Sequence, residues 1–217
     1  MSVALSELLR SATAEEHTHA ETRTFVTDLM GGALGRDAYI DLARQHHAIY
    51  TALEAAGRRL ADHPVAGEFV RDELLRVPSI AADLHLLAGP DWADLDVLPV
   101  THEYVARLEA IDDAPTYLAH AYTRYLGDLS GGQVIARMLQ RHYGMTPDEL
   151  TFYTFTDIPK PKPYKDAWRA AMDAADLTEA ERERCAAEAK YAFDLNAAVF
   201  VALGERPRAQ TVAEATA

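Results

Sequence analysis

The sequence predicts an all-α fold in a single domain, and three observations carry that prediction. Apolar residues recur at helical spacing through successive segments. Glycine and proline punctuate the chain between many of those segments, at Gly31-Gly32, Pro64, Gly89-Pro90, Leu98-Pro99 and Gly144. No stretch shows strand alternation, and no internal repeat is present. A chain of 217 residues is long enough for one well-buried core. Residues 1–204 are expected to form the domain, and 205–217 a disordered tail.

Residues 3–29 read as one helix with Leu5, Leu8, Leu9 and Ala12 on its inner stripe. Gly31 to Gly35 ends it, and Arg36 to Ala61 forms the next. That second helix should bury Tyr39, Leu42, Ala43, His46, Ile49, Tyr50 and Leu53. Neighbouring helical residues diverge by about 100°, so His46 and His47 do not share one target; one packed and one solvated is expected. Shorter helices follow near Gly67–Leu75, Ser79–Leu87 and His102–Ile111. Pro115 opens a long central helix at a position proline tolerates. His120 and His142 lie at its two ends, too far apart to cooperate. Pro147 starts a short helix, and Ile158 to Pro163 should be extended or turning. Helices then run over Tyr164–Ala175 and Thr178–Leu203, the last carrying Ala189, Phe193, Asn196, Ala197 and Phe200 inward.

The net charge of −13 argues against a general nucleic-acid binder, which needs a broad basic surface. An anionic ligand would have to be met by a local basic cluster. No apolar run approaches the roughly 20 residues of a membrane span. The first residues carry acids where a signal peptide has a basic region. One cysteine, Cys185, excludes an internal disulfide and fits a reducing compartment. A cytoplasmic monomer is expected.

The central stretch, Tyr122 to Tyr143, is the unusual one. Helical flanks enclose Gly127, Gly131 and Gly132, and each helical glycine costs up to about 1 kcal/mol relative to alanine. Gly127 and Gly131 are four apart, so they leave bare backbone on one face, with Asp128 in the adjacent row. A flat, bulky group could press there. A kinked helix, or two helices packed closely at small residues, fits the same pattern. Leu129 to Gln133 spells the signature pentapeptide of ABC-type ATPases, but no Gly-Lys pair exists for a phosphate loop. On the first helix, His17 has Ala14 and Ala20 around it and Glu21 one turn on, which could hold the ring as a ligand's acceptor. Arg10 lies two turns earlier on the same face. His19 points about 200° away. A lone helical histidine is more often a plain surface or core residue. Lys165 and Arg169 are four apart, either surface charges or a clamp for carboxylates.

Tyr-Leu-Gly-Asp-Leu-Ser-Gly-Gly-Gln at 125–133, together with Glu-Glu-His-Thr-His-Ala-Glu around His17, resembles the heme oxygenase family, most closely its soluble bacterial members. The similarity covers about residues 4–204. It implies a helical sandwich with haem, both cofactor and substrate, between the first helix and the glycine-rich distal helix. It implies that His17 is the proximal iron ligand and Glu21 the carboxylate one turn beyond. Gly127 and Gly131 would lie over the haem face, and Asp128 would organise water near bound oxygen. Arg124 and Tyr50 would belong to that distal network. Lys165, Arg169 and Tyr122 would lie near the propionates, with Arg10 where some members have lysine. Phe193 and Asn196 would be pocket and network positions on the last helix. Ala14 stands where mammalian members carry a further basic residue. The implied reaction uses O2 and an electron-donor protein (a ferredoxin, flavodoxin or reductase) to give biliverdin, carbon monoxide and ferrous iron.

Three competitors have their own signatures. A non-catalytic haem carrier would keep His17 without needing Asp128. A di-iron carboxylate protein needs two Glu-x-x-His motifs, and only Glu16 to His19 offers acid and histidine at that spacing. A thiaminase-like enzyme needs a reactive cysteine, for which Cys185 is poorly placed.

Overall fold

The computed structural model describes residues 3–207, and within them every regular element is a helix. Ten α-helices follow in order: α1 Leu5–Ala12, α2 Ala14–Glu21, α3 Thr24–Gly31, α4 Arg36–Arg59, α5 Val77–Ala88, α6 Pro99–Glu109, α7 Ala114–Ala121, α8 Gly127–Tyr143, α9 Pro161–Ala174 and α10 Glu179–Glu205. Helix α10 is the spine and packs against α7, α2, α1, α6 and α3. Helix α4 lies against α6 and α5, while α8 meets α3 and α9. All seven α4 residues expected in the core are buried there.

The N-terminal segment is three helices rather than one. Its breaks fall at Thr13 and at Thr22-Arg23. Thr13 donates its hydroxyl to the Leu9 carbonyl at 2.8 Å, and Thr22 to the Thr18 carbonyl at 3.0 Å. Such bonds compete with the backbone ladder and bend a helix. Gly32, at φ 78°, closes α3 in the left-handed conformation glycine adopts without strain.

The long central helix also differs from expectation. Tyr122–Leu126 forms one widened π turn between α7 and α8, one turn before the glycines, which themselves stay in regular helix. Two hydroxyls bond back along the chain here: Thr123, inside the turn, donates to the Ala119 carbonyl at 2.9 Å, and Ser130, beyond it, to the Leu126 carbonyl at 2.6 Å. Asp113 caps α7 by accepting from the Thr116 amide at 2.8 Å.

Gly67–Leu75 contains two short 3-10 helices, Ala66–Phe69 and Asp72–Leu74, in place of an α-helix. Pro147–Glu149 is likewise 3-10. Pro161 and Pro163 sit inside the first turn of α9, where an absent N–H breaks no helical bond. Only Ile158 to Lys160 of that run is non-helical. His46 is buried as expected, but its neighbour His47 is half-buried against Trp92, ring centroids 4.7 Å apart. At the C-terminus α10 extends through Glu205, and Arg206 reaches Asp96 at 3.3 Å and Asp41 at 3.6 Å. The rest of the expected tail, 208–217, lies outside the described residues. Among the described residues no helix is long and apolar enough to cross a membrane.

Candidate active site

A cavity of about 900 Å³ opens between α2 and the α7–α8 helix. On one side it is lined by Arg10, Thr13, Ala14, His17, Ala20 and Glu21. The other side carries Tyr122, Arg124, Gly127, Asp128, Ser130 and Gly131, with Phe193, Asn196 and Phe200 from α10. Arg169 stands at the edge. Size and mixed lining suit a small-molecule ligand with a large apolar surface.

His17 is held by its own helix and by α10. Its Nδ1 lies 3.3 Å from Glu21 Oε2, and its ring meets Phe193 edge-on with centroids 5.6 Å apart. Just over half of the His17 side chain is exposed. The acceptor at Nδ1 leaves Nε2 as the nitrogen available to a metal.

Opposite, the two glycines provide the bare surface that their spacing indicated. A Cβ added at Gly127 or Gly131 would meet no atom of the described residues within 4 Å beyond its own helical turn. Gly132 is different, because a Cβ there would come within 3.0 Å of the Tyr153 ring. Gly132 thus serves packing, whereas Gly127 and Gly131 front open space. No steric need of the protein itself explains their lost helix propensity.

Beside that strip, Asp128 accepts a hydrogen bond from the Tyr50 hydroxyl. Tyr50 is fully buried on α4 behind the cavity wall. Arg124 Nε donates to the Tyr50 oxygen at 3.3 Å, and Arg124 Nη1 to Asn196 Oδ1 at 2.7 Å. Its guanidinium also lies over the Tyr50 ring, 4.8 Å from the centroid. Burial pushes the Asp128 carboxyl up to about 6, although Arg124, the Tyr50 hydrogen bond and Arg76 all pull it down. A carboxyl poised there can hold or release a proton near neutrality.

Cations meet at the cavity edge, each engaged locally. Arg10 pairs with Glu7 at 2.7 Å, and Arg169 with Asp166 at 3.3 Å. Lys165 does not line the cavity; its Nζ donates to Ser130 Oγ at 2.8 Å. These exposed pairs are weak and can exchange for a ligand's carboxylates.

Sequence reasoning missed the back wall. Phe152 and Tyr153 line the cavity from a short 3-10 helix, Thr151–Tyr153, that no apolar period announced. Asp83 fixes that segment by accepting from the Thr151 and Phe152 amides at 2.9 and 2.8 Å. Arg76 donates to the Phe152 and Thr154 carbonyls at 3.2 and 2.9 Å and stacks on Phe155 at 3.9 Å. Glu54 in turn accepts from the Arg76 and Val77 amides, tying α4 to the start of α5. Leu29, Leu42 and His46 complete the inner end. Cys185 is fully buried, and burial pushes its thiol up to about 12, so it offers no nucleophile.

A haem group fits this donor set. An imidazole with a free ring nitrogen faces two glycines whose absent side chains leave room for a flat macrocycle, and cations rim the open edge.

Comparison with known proteins agrees with that fit. The heme oxygenase family model matches residues 3–202. Human heme oxygenase 1 is 37% identical over 207 residues, covering 93% of this chain and 72% of the human one. Heme oxygenase 1 of Synechocystis sp. is 34% identical over 203 residues, 92% of this chain and 85% of its own. The haem complex of Synechocystis heme oxygenase-1 superposes with a TM-score of 0.88 at 33% identity, covering 93% and 92% of the two chains. Heme oxygenase from Leptospira interrogans gives 0.86 at 30% identity, covering 91% and 98%. The chain therefore belongs to the heme oxygenase family and is an enzyme that degrades haem.

Proposed function

We propose that the chain opens the haem ring with O2 and reducing equivalents, giving biliverdin, carbon monoxide and ferrous iron, with His17 as the iron's protein ligand and Asp128 as the proton-handling group. The observation that carries this reading is one cavity with His17 on one wall and the Gly127–Asp128–Gly131 strip on the other. When bound, haem supplies an iron that takes up oxygen and electrons and a macrocycle edge that becomes oxidised.

The chain's own residues divide the remaining work. Glu21 accepts at His17 Nδ1, which fixes the tautomer and leaves Nε2 toward the iron. Phe193 limits rotation of the imidazole. Gly127 and Gly131 let backbone approach the opposite face without a side chain that could itself be attacked. Tyr50 occupies Asp128 Oδ2, so Oδ1 is the atom at which the carboxyl holds or passes a proton through water. Arg124, held by Asn196, keeps Tyr50 oriented and pulls the Asp128 carboxyl down against its burial. Arg10 and Arg169, with Tyr122 beside them, meet the propionates at the wet edge, and Lys165 joins them by releasing Ser130. An electron-donor protein of the ferredoxin, flavodoxin or reductase class supplies reduction, and the chain works as a cytoplasmic monomer.

A haem carrier would use His17 and the glycine face but has no use for the buried Tyr50–Arg124–Asn196 support of Asp128. Replacing His17 by alanine tests the assignment. The histidine-ligated haem spectrum and bilin formation should both be lost, and added imidazole should partly restore both. Loss on substituting His19 or His46, with His17→Ala unaffected, would move the ligand elsewhere.

A further inference from the structure

The cavity's inner wall holds one polar side chain that the reading above leaves without work. His46 lies on α4 one turn before Tyr50, is 8% exposed, and borders the cavity. Its ring packs against Phe152, centroids 5.5 Å apart, and edge-on to Tyr50 at 6.3 Å. Nε2 has no hydrogen-bond partner among the described residues. Burial, reinforced by the nearby Arg124 cation, drives its pKa well below the ordinary imidazole range. The ring is therefore neutral, with one nitrogen donor and one acceptor. Its apolar neighbours would accept a leucine, and a buried nitrogen left unpaired lowers stability without return. The neighbouring polar group is Tyr50, four residues on and on the same helix face, which carries the bonds to Arg124 and Asp128. A trapped water needs two or more polar partners, and His46 with Tyr50 provides them.

We propose that His46 is a positioning residue for the oxygen chemistry, its Nε2 holding a water that extends the Asp128–Tyr50–Arg124 network to the inner wall of the loaded cavity. The inference rests on the reading that this cavity binds haem with Asp128 on the oxygen side. Once the cavity is filled, the water at His46 and the water served by Asp128 form one connected set, which holds bound oxygen in place and restrains its escape.

The test compares wild type with His46→Leu and His46→Gln, using haem-loaded protein reduced once and exposed to O2 without further reductant. The decay rate of the oxygen complex is followed by absorbance. His46→Leu should decay about three- to tenfold faster, as expected for one lost hydrogen bond. His46→Gln, whose amide can hold the same water, should stay within about twofold of wild type. Haem-free His46→Leu should unfold at the same or higher urea concentration than wild type, since it replaces a buried polar ring by an apolar side chain among apolar neighbours. Wild-type decay in His46→Leu, or an earlier unfolding midpoint, would overturn the inference and leave His46 a packing residue. A wild type that forms no oxygen complex at all would instead contradict the haem reading, and this inference with it.

Discussion

Tyr50 and Asp128, 78 residues apart in sequence, are joined by a hydrogen bond from the tyrosine hydroxyl to Oδ2 of the acid. The bond fastens α4 to the glycine-rich α8 behind the cavity wall. It also places the one strongly perturbed carboxyl of the site beside two bare glycines. Burial of the ionised form, Arg124 and the tyrosine donor then compete, and burial wins by enough to bring the group near neutrality.

A pH dependence follows from that balance. The Asp128 carboxyl is raised from 3.8 to about 6 on folding, so between those values the folded chain holds a proton that the unfolded chain has released. Its contribution to stability therefore falls as pH rises from about 4 to 6 and stays level above that. The change is on the order of 1–3 kcal/mol, because the cavity side of the group stays open to water. Urea unfolding of the haem-free protein at pH 4, 5, 6 and 7 should show this decline. In Asp128→Asn the decline should shrink by that amount.

Gly131 should reveal a conflict between stability and binding. Alanine there meets no atom of the described residues within 4 Å beyond its own helical turn, so Gly131→Ala should stabilise the haem-free protein by up to about 1 kcal/mol through helix propensity. The same methyl group would stand where the macrocycle is expected to lie, so haem affinity should drop at least tenfold, about 1.4 kcal/mol. Calorimetry and haem titration on one protein sample read both effects. Gly132→Ala should instead crowd Tyr153 and lower stability.

Away from the cavity, Glu188 on α10 joins α6 and α7. Arg107 donates to it through Nε and Nη2 at 2.7 and 2.6 Å, and the fully buried His120 lies 2.8 Å away through Nε2. Burial pushes this carboxyl up, but the bonds from His120 and Arg107 outweigh it and hold it at about 2. Its stabilisation is present above the ordinary carboxylate range and is lost as pH falls from about 4.5 toward 2. Glu188→Ala should lower unfolding free energy at pH 7 by about 2–3 kcal/mol, since His120 and Arg107 lose their partner. The deficit should vanish at the acid end of a pH series.

Local signals made part of this molecule legible in sequence. The apolar period of α4 selected Tyr39 through Leu53 correctly because each residue's burial follows from its angle round one long helix. The spacing of Gly127 and Gly131 fitted an open face, but close packing, the role Gly132 takes, fitted the same run of glycines. What stayed hidden was set by competition or distance. Thr13 and Thr22 break the first segment through hydroxyl bonds to carbonyls that no hydrophobic count registers. The back wall depends on Asp83 and Arg76 reaching 68 to 78 residues along the chain to hold Thr151, Phe152 and Thr154. Nor did the pair His46-His47 say which ring faces the cavity, since that follows from how α4 is turned toward Phe152.

The most direct test of the account is the haem complex of Asp128→Ala, followed by absorbance with reductant in air beside wild type. Wild type should lose its Soret band as a bilin spectrum grows. The variant should bind haem with affinity within about threefold of wild type, because no contact to the ligand's iron is removed. Its bilin yield should fall at least tenfold, as proton handling at the oxygen site is worth 10² or more in comparable chemistry. Normal bilin yield from Asp128→Ala would contradict the assignment, and a matching loss of haem affinity would reduce Asp128 to a brace for the helix.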